Sequence, residues 1–138
     1  MSVSVAFQDL LLAKLKADPG VASLVGNRVW DSPPSSPEFP YITLGATDFT
    51  PTDADCIDMR EETVQLDVWT RANGRKWPCK QIVDAVVNVL RRFKGDLTAG
   101  TLGGVRVELS RIFDDPDGIT VHGVVQVTAM IEEAFHHG

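Results

Sequence analysis

The chain has 138 residues, 43% of them apolar and 23% charged, with a net charge of −6. That length suits one domain with a core that needs no staples. The acidic balance argues against a protein whose main task is to grip phosphates, and no run approaches the ~18 apolar residues of a membrane span.

Residues 4–17 read as a first helix, with Val5, Leu11, Leu12 and Leu15 near one side and Phe7 and Leu10 widening the stripe. Ser4 fits its N-cap and Pro19-Gly20 its end. Because Asp9 and Lys14 interrupt the apolar run and no basic segment precedes it, an amphipathic helix is expected there rather than a signal peptide. VASLVG (21–26) allows one more helical turn, and RVWD (28–31) a short extended piece. SPPSSPEFP (32–40) is a proline-rich connector, and YITLGA (41–46) is a strand.

Residues 48–62 carry Asp48, Asp53, Asp55, Asp58, Glu61 and Glu62 among threonines and few apolar residues. This density of like charge predicts a long acidic loop, of the kind that orders on a partner. TVQLDVWT (63–70) alternates with Val64, Leu66 and Val68 on one face and Gln65, Asp67 and Trp69 on the other. RANGRK (71–76) is a turn around Asn73-Gly74. A helix from about 78 to 93 follows, opened by Pro78 and striped by Ile82, Val83, Val86, Val89 and Leu90. Gly95 stops it, and 96–104 read as an irregular glycine-rich connection.

VRVELSRIF (105–113) is the next strand, with Val105, Val107 and Leu109 inward. DDPDG (114–118) is hairpin chemistry. ITVHGVVQVTAMIEE (119–133) returns with Val121, Val125, Val127, Ala129 and Ile131 on one face and His122 on the other. Gly123 marks a bulge or a close backbone approach, and 134–138 fray. The expected fold is therefore α+β: one two-layer domain over 1–138, with a four-stranded antiparallel sheet and two main helices packed on one face.

The chemistry-bearing residues form no familiar constellation. His136 and His137 sit at the end of the chain, and His122 is isolated on a polar face. Asp114, Asp115 and Asp117 lack the spacing of a calcium loop, and the 95–104 glycines match no phosphate-binding fingerprint. Cys56 and Cys79 have neither a CxxC nor a paired histidine, so two free thiols are the plain reading. No catalytic, cofactor or metal site is assigned. Arg71, Arg75 and Lys76, flanked by Trp69 and Trp77, allow a solvated turn with Trp77 on the core, a protein contact or, least favoured, nucleic-acid binding. The residues put forward for protein contacts are Asp53, Asp55, Asp58, Trp69, Arg71, Arg75, Lys76 and Trp77.

Three stretches in order, EFPYITLG (38–45), VQLDVWTRANGRK (64–76) and IFDDPDGITVHGVVQVTAMIE (112–132), together with LVGNRVWD near the start, resemble the small tail-completion, or tail terminator, proteins of siphophages and gene transfer agents. The resemblance covers nearly the whole chain. It implies a structural virion subunit rather than an enzyme, assembled in the host cytoplasm. Such a subunit forms a ring, typically hexameric, that caps the head-proximal end of the tail tube, stops its polymerisation and joins tail to head. The implied partners are further copies of the chain, the tail tube protein and the head–tail connector, with DNA passing through the lumen unbound and no membrane. The alternatives are a connector-side adaptor or neck protein, a small metal-dependent hydrolase or nuclease using Asp114, Asp115 and His122, and a plain binding module.

Overall fold

A computed structural model describes residues 2–54, 57–95, 97 and 100–133. Its elements are α1 (Val3–Ala17), α2 (Pro19–Val25), β1 (Val29–Trp30), β2 (Tyr41–Ala54), β3 (Ile57–Arg71), α3 (Trp77–Arg91), β4 (Gly100–Asp114) and β5 (Thr120–Glu133). Among the described residues one five-stranded sheet runs in the order β1-β2-β3-β5-β4. Four strands pair antiparallel as expected. The short β1 adds a parallel pair, Val29 with Ile42 and Trp30 with Thr43, so the sheet is mixed rather than four-stranded and antiparallel. Among the described residues there are also three helices rather than two. Asp18 both ends α1 and caps α2, its carboxylate accepting from Val21 N at 2.9 Å, and Pro19 starts the second helix instead of only stopping the first.

The core lies between the helices and one face of the sheet. Val64, Leu66 and Val68 of β3 and Val121, Val125, Val127, Ala129 and Ile131 of β5 point into it. From above, α3 contributes Cys79, Ile82, Val83, Val86 and Leu90, each worth about 1–3 kcal/mol for the side chain buried. Where α3 crosses β5 the approach is close. A Cβ at Gly123 would stand 2.8 Å from both Cys79 Sγ and Val83 Cγ2, so Gly123 serves close approach rather than a bulge. Burial there pushes the Cys79 thiol up to about 11.

The first helix begins earlier than its pattern suggests. Ser2 is the N-cap, accepting from Val5 N at 3.2 Å, and Val3, Ala6, Phe7, Leu11 and Leu15 are buried while Val5 is exposed. Starting the helix one residue sooner frees Ser4, whose hydroxyl donates to Glu62 Oε2 at 2.9 Å.

Residues 48–54 and 57–62 are strand rather than loop. They complete a long β2–β3 hairpin whose ladder runs from Tyr41–Trp69 out to Ala54–Ile57, with a bulge between Leu44 and Thr47. Backbone pairing overrides the composition, because β5 also zips onto β3 as far as Met59. Glu62 is fully buried rather than solvated. Besides Ser4, its carboxylate meets Arg60 Nη1 at 3.4 Å, and Arg60 also pairs with Glu133. The glycine-rich connection is shorter than expected, since Gly100–Gly104 already belong to β4. A register shift between Val107 and Leu109 puts Ser110 opposite inward-facing Val125 and turns Leu109 outward, to 43% exposure. The frayed end expected at 134–138, together with Asp55 and Cys56, lies outside the described residues.

Candidate functional site

The sheet face away from the helices carries a row of rings across all five strands. Trp30 of β1 lies 5.7 Å from Tyr41 of β2, which stacks at 6.3 Å on Trp69 of β3. Trp69 stacks at 3.9 Å and 16° on His122 of β5, and His122 lies 4.8 Å from Phe113 of β4. The register makes this possible: Tyr41, Trp69, His122 and Phe113 are successive cross-strand partners. Phe39 extends the row at 5.0 Å from Tyr41, and the Arg71 guanidinium lies 4.3 Å over its ring.

A polar network holds the row in place. Trp69 Nε1 donates to Thr43 Oγ1 at 3.0 Å, and His122 Nε2 meets Asp67 Oδ1 at 2.7 Å. Gln65 Nε2 donates to that same Asp67 oxygen at 2.9 Å. Asp67 is almost fully buried under the rings. The tyrosine also titrates above its ordinary value, chiefly because it is buried. These contacts fix side chains that a single strand's alternation places only on an exposed face.

At the end of the sheet beside the row, two turns are tied together. Asn73 and Gly74 take positive φ, as the turn chemistry requires. Across from them, Asp117 accepts from the backbone N–H groups of Ile119 and Thr120 and from the Thr120 hydroxyl. Those bonds hold its carboxyl below the usual aspartate range. Arg71 reaches Thr120 Oγ1 at 3.0 Å and Asp117 Oδ2 at 3.6 Å, and Lys76 Nζ meets Asp114 Oδ1 at 3.0 Å. Trp77 is 58% exposed and Ile119 53%, so Trp77 does not enter the core. Trp77 is the first residue of α3, with Pro78 beside it in the first turn.

The candidate contact residues therefore divide between two places. Arg71, Arg75, Lys76 and Trp77 share the turn end, with Trp69 one step inward in the ring row. Asp58 and the backbone of Asp53 sit at the hairpin tip, directly opposite each other across β2 and β3. About 40 Å of β3 separates Asp58 from Arg71. Sequence reasoning missed Trp30, Tyr41 and Phe113 as members of the ring row, and Thr43 and Asp67 as the polar groups that hold it, because that row exists only once register is known. The grouping of Asp114, Asp115 and His122 does not assemble: His122 pairs with Asp67 and Asp114 with Lys76. Among the described residues, no three His, Cys, Asp or Glu side chains lie together as metal ligands would.

Residues 9–132 match the family model of tail completion protein gp17. The chain belongs to the tail completion protein gp17 family. A tail completion protein gp17 of Bacillus phage SPP1 is 26% identical over 104 residues, covering 73% of this chain and 74% of that one. The fold is also that of a chain in the virion of a native gene transfer agent particle, with a TM-score of 0.86, 24% identity and coverage of 95% and 98%. The structure of the SPP1 gp17 protein matches with a TM-score of 0.58 at 21% identity, covering 98% of this chain and 94% of that one. This tail completion protein is a structural constituent of a tailed particle. Among its described residues no helix is long and apolar enough to cross a membrane.

Proposed function

We propose that the chain forms a closed ring, six copies round, on the head-proximal end of the tail tube, where it stops tube growth and offers the surface that the head's connector joins. The observation that carries this reading, given the family, is the presence of two unlike contact ends about 40 Å apart on one rigid sheet. One end is an ordered pair of cross-braced turns presenting Trp77 and Ile119. The other is an acidic hairpin tip. Aromatic side chains beside arginine are the residues that anchor protein interfaces, and neighbours within a ring meet through unlike patches whose rotation closes. Capping of this kind needs steric and surface complementarity and no covalent step. A net charge of −6 suits a lumen that lets DNA slide past without holding it.

The test is electron microscopy of particles made without this gene. Overlong tails of variable length, detached from filled heads, are expected. Tails of uniform normal length with unjoined heads would instead move the protein to the connector side.

A further inference from the structure

The sheet ends in two free edges. Among the described residues β1 pairs with β2 only at Ile42 and Thr43, so the outer side of β2 carries no strand from Leu44 onward. At the opposite side of the sheet no strand lies beyond β4. Neither edge is built for strand addition. β2 is bulged between Leu44 and Thr47 and holds Pro51, which has no N–H to give. β4 shifts register twice, between Leu102 and Val105 and between Val107 and Leu109. Bulges and proline keep edges from zipping onto further strands, so what these edges present is side chains.

Those side chains are complementary in shape. Phe49 stands on the β2 edge and on the helix side of the sheet, because its partner Glu62 is itself paired with Ala129 of the core. The Arg60 guanidinium lies 4.0 Å from the centre of its ring, yet the residue stays 52% exposed. On the β4 edge, again on the helix side, β4 and α3 leave a groove of about 520 Å³ whose apolar lining is Val87, Leu90, Val105 and Val107, with Leu109. Knob and groove also stand at one level. Phe49, Glu62, Ala129 and Val105 are successive cross-strand partners, one on each of the four long strands. Three strand spacings, about 14 Å, separate Phe49 from Val105 within a copy, so Phe49 does not fill its own groove.

We infer that Phe49 on the β2 edge of one copy seats in the α3–β4 groove of the next. This inference rests on the ring reading and names its lateral contact. Rotation about an axis along the strands, without rise, sets the β2 edge of one copy beside the β4 edge of its neighbour at the same level. The two strands then run antiparallel, as the alternation across β2, β3, β5 and β4 dictates. The contact is heterologous, as a closed ring requires, and it leaves the two ends of the sheet to face tube and connector. An aromatic ring in an apolar groove is the kind of anchor that carries an interface.

The test is disulfide trapping in intact particles. Subunits with Phe49→Cys and Val105→Cys are oxidised, and the parent chain, with its own cysteines, sets the background. The separation within one copy exceeds the reach of a disulfide, so each new link joins two copies. A ladder from dimer up to the closed ring is expected on non-reducing gels, and neither single variant should give it. In complementation, Phe49→Ser changes an exposed position and should melt within about two degrees of the parent, yet cut joined particles at least tenfold. Phe49→Leu should keep most of them. No ladder from particles that contain the double variant, or normal joining by Phe49→Ser, would overturn the proposal. So would dimers from Phe49→Cys alone, which would mean that copies meet through identical patches. A failure of the ring reading itself would appear separately, as normal tail length without the gene.

Discussion

The two ends of the sheet are built on opposite principles. Toward the turn end several charged groups are paired within the chain: Arg71 with Asp117 and Thr120, Lys76 with Asp114, and the Asp67 carboxylate with His122 and Gln65. That end also exposes two large apolar side chains, Trp77 and Ile119. At the hairpin end the exposed acids Asp48 and Asp58 meet no cation among the described residues. A preorganised apolar surface pays little ordering entropy on binding, whereas a charged one gains partner selectivity and rate more than affinity. The turn end is thus suited to a permanent seat and the tip to choosing the right neighbour.

The largest expected effect tests whether the two ends share one rigid frame. Val68 is fully buried on the core face of β3, and Val68→Asp would bury an unpaired charge. The variant should give no cooperative melt and lose both ends together. A soluble, cooperatively melting variant would show that the frame is not continuous. Next comes the hairpin base, where Arg60 covers the fully buried Glu62. Arg60→Met should cost about 3–5 kcal/mol by stranding that carboxylate. Adding Glu62→Gln should recover part of the lost melting temperature, and no recovery would mean that Arg60 acts by packing alone.

Smaller effects separate frame from surface. Gly123→Ala should destabilise by about 1–3 kcal/mol as α3 is pushed off β5, read as a lower melting temperature with unchanged joining in the particles that survive. Trp77→Ala should do the reverse. A ring that is 58% exposed contributes little to folding, so the melting temperature stays within a degree or two while head–tail joining falls. The mildest test uses pH. The folded-state lowering of the Asp117 carboxyl contributes stability that is fully present above the ordinary aspartate value of 3.8 and is lost as pH falls through the lowered folded value. The melting gap between Asp117→Asn and the parent should therefore be open at neutral pH and close on acidification. A gap that is constant with pH would mean that the carboxylate's charge plays no part in the turn.

Much of the frame is legible in the residues. The alternation of 63–70 and 119–133, the α3 stripe, and the Asn73-Gly74 and DPDG turns all encode local geometry, and local geometry is what one segment can state. The hairpin tip is not legible, because its threonines and aspartates have the composition of a loop and become strand only by pairing with neighbours distant in sequence. β1 is two residues long and has no period to detect. Leu109 misleads for the same reason, since a one-residue bulge flips its face and a bulge is a property of a pair of strands. The candidate site divides likewise. The basic turn with its tryptophans stands out along the chain, whereas the ring row from Trp30 to Phe113 depends on the register of four ladders.

The central claim is that this subunit closes into a ring through unlike patches at the head-proximal end of the tube. Cryo-electron microscopy of the neck of purified particles tests it most directly. The expected result is a closed ring of this chain seated on the last tube ring, with adjacent copies meeting through unlike patches. Copies found elsewhere in the particle, or a ring whose neighbours meet through identical patches, would contradict it.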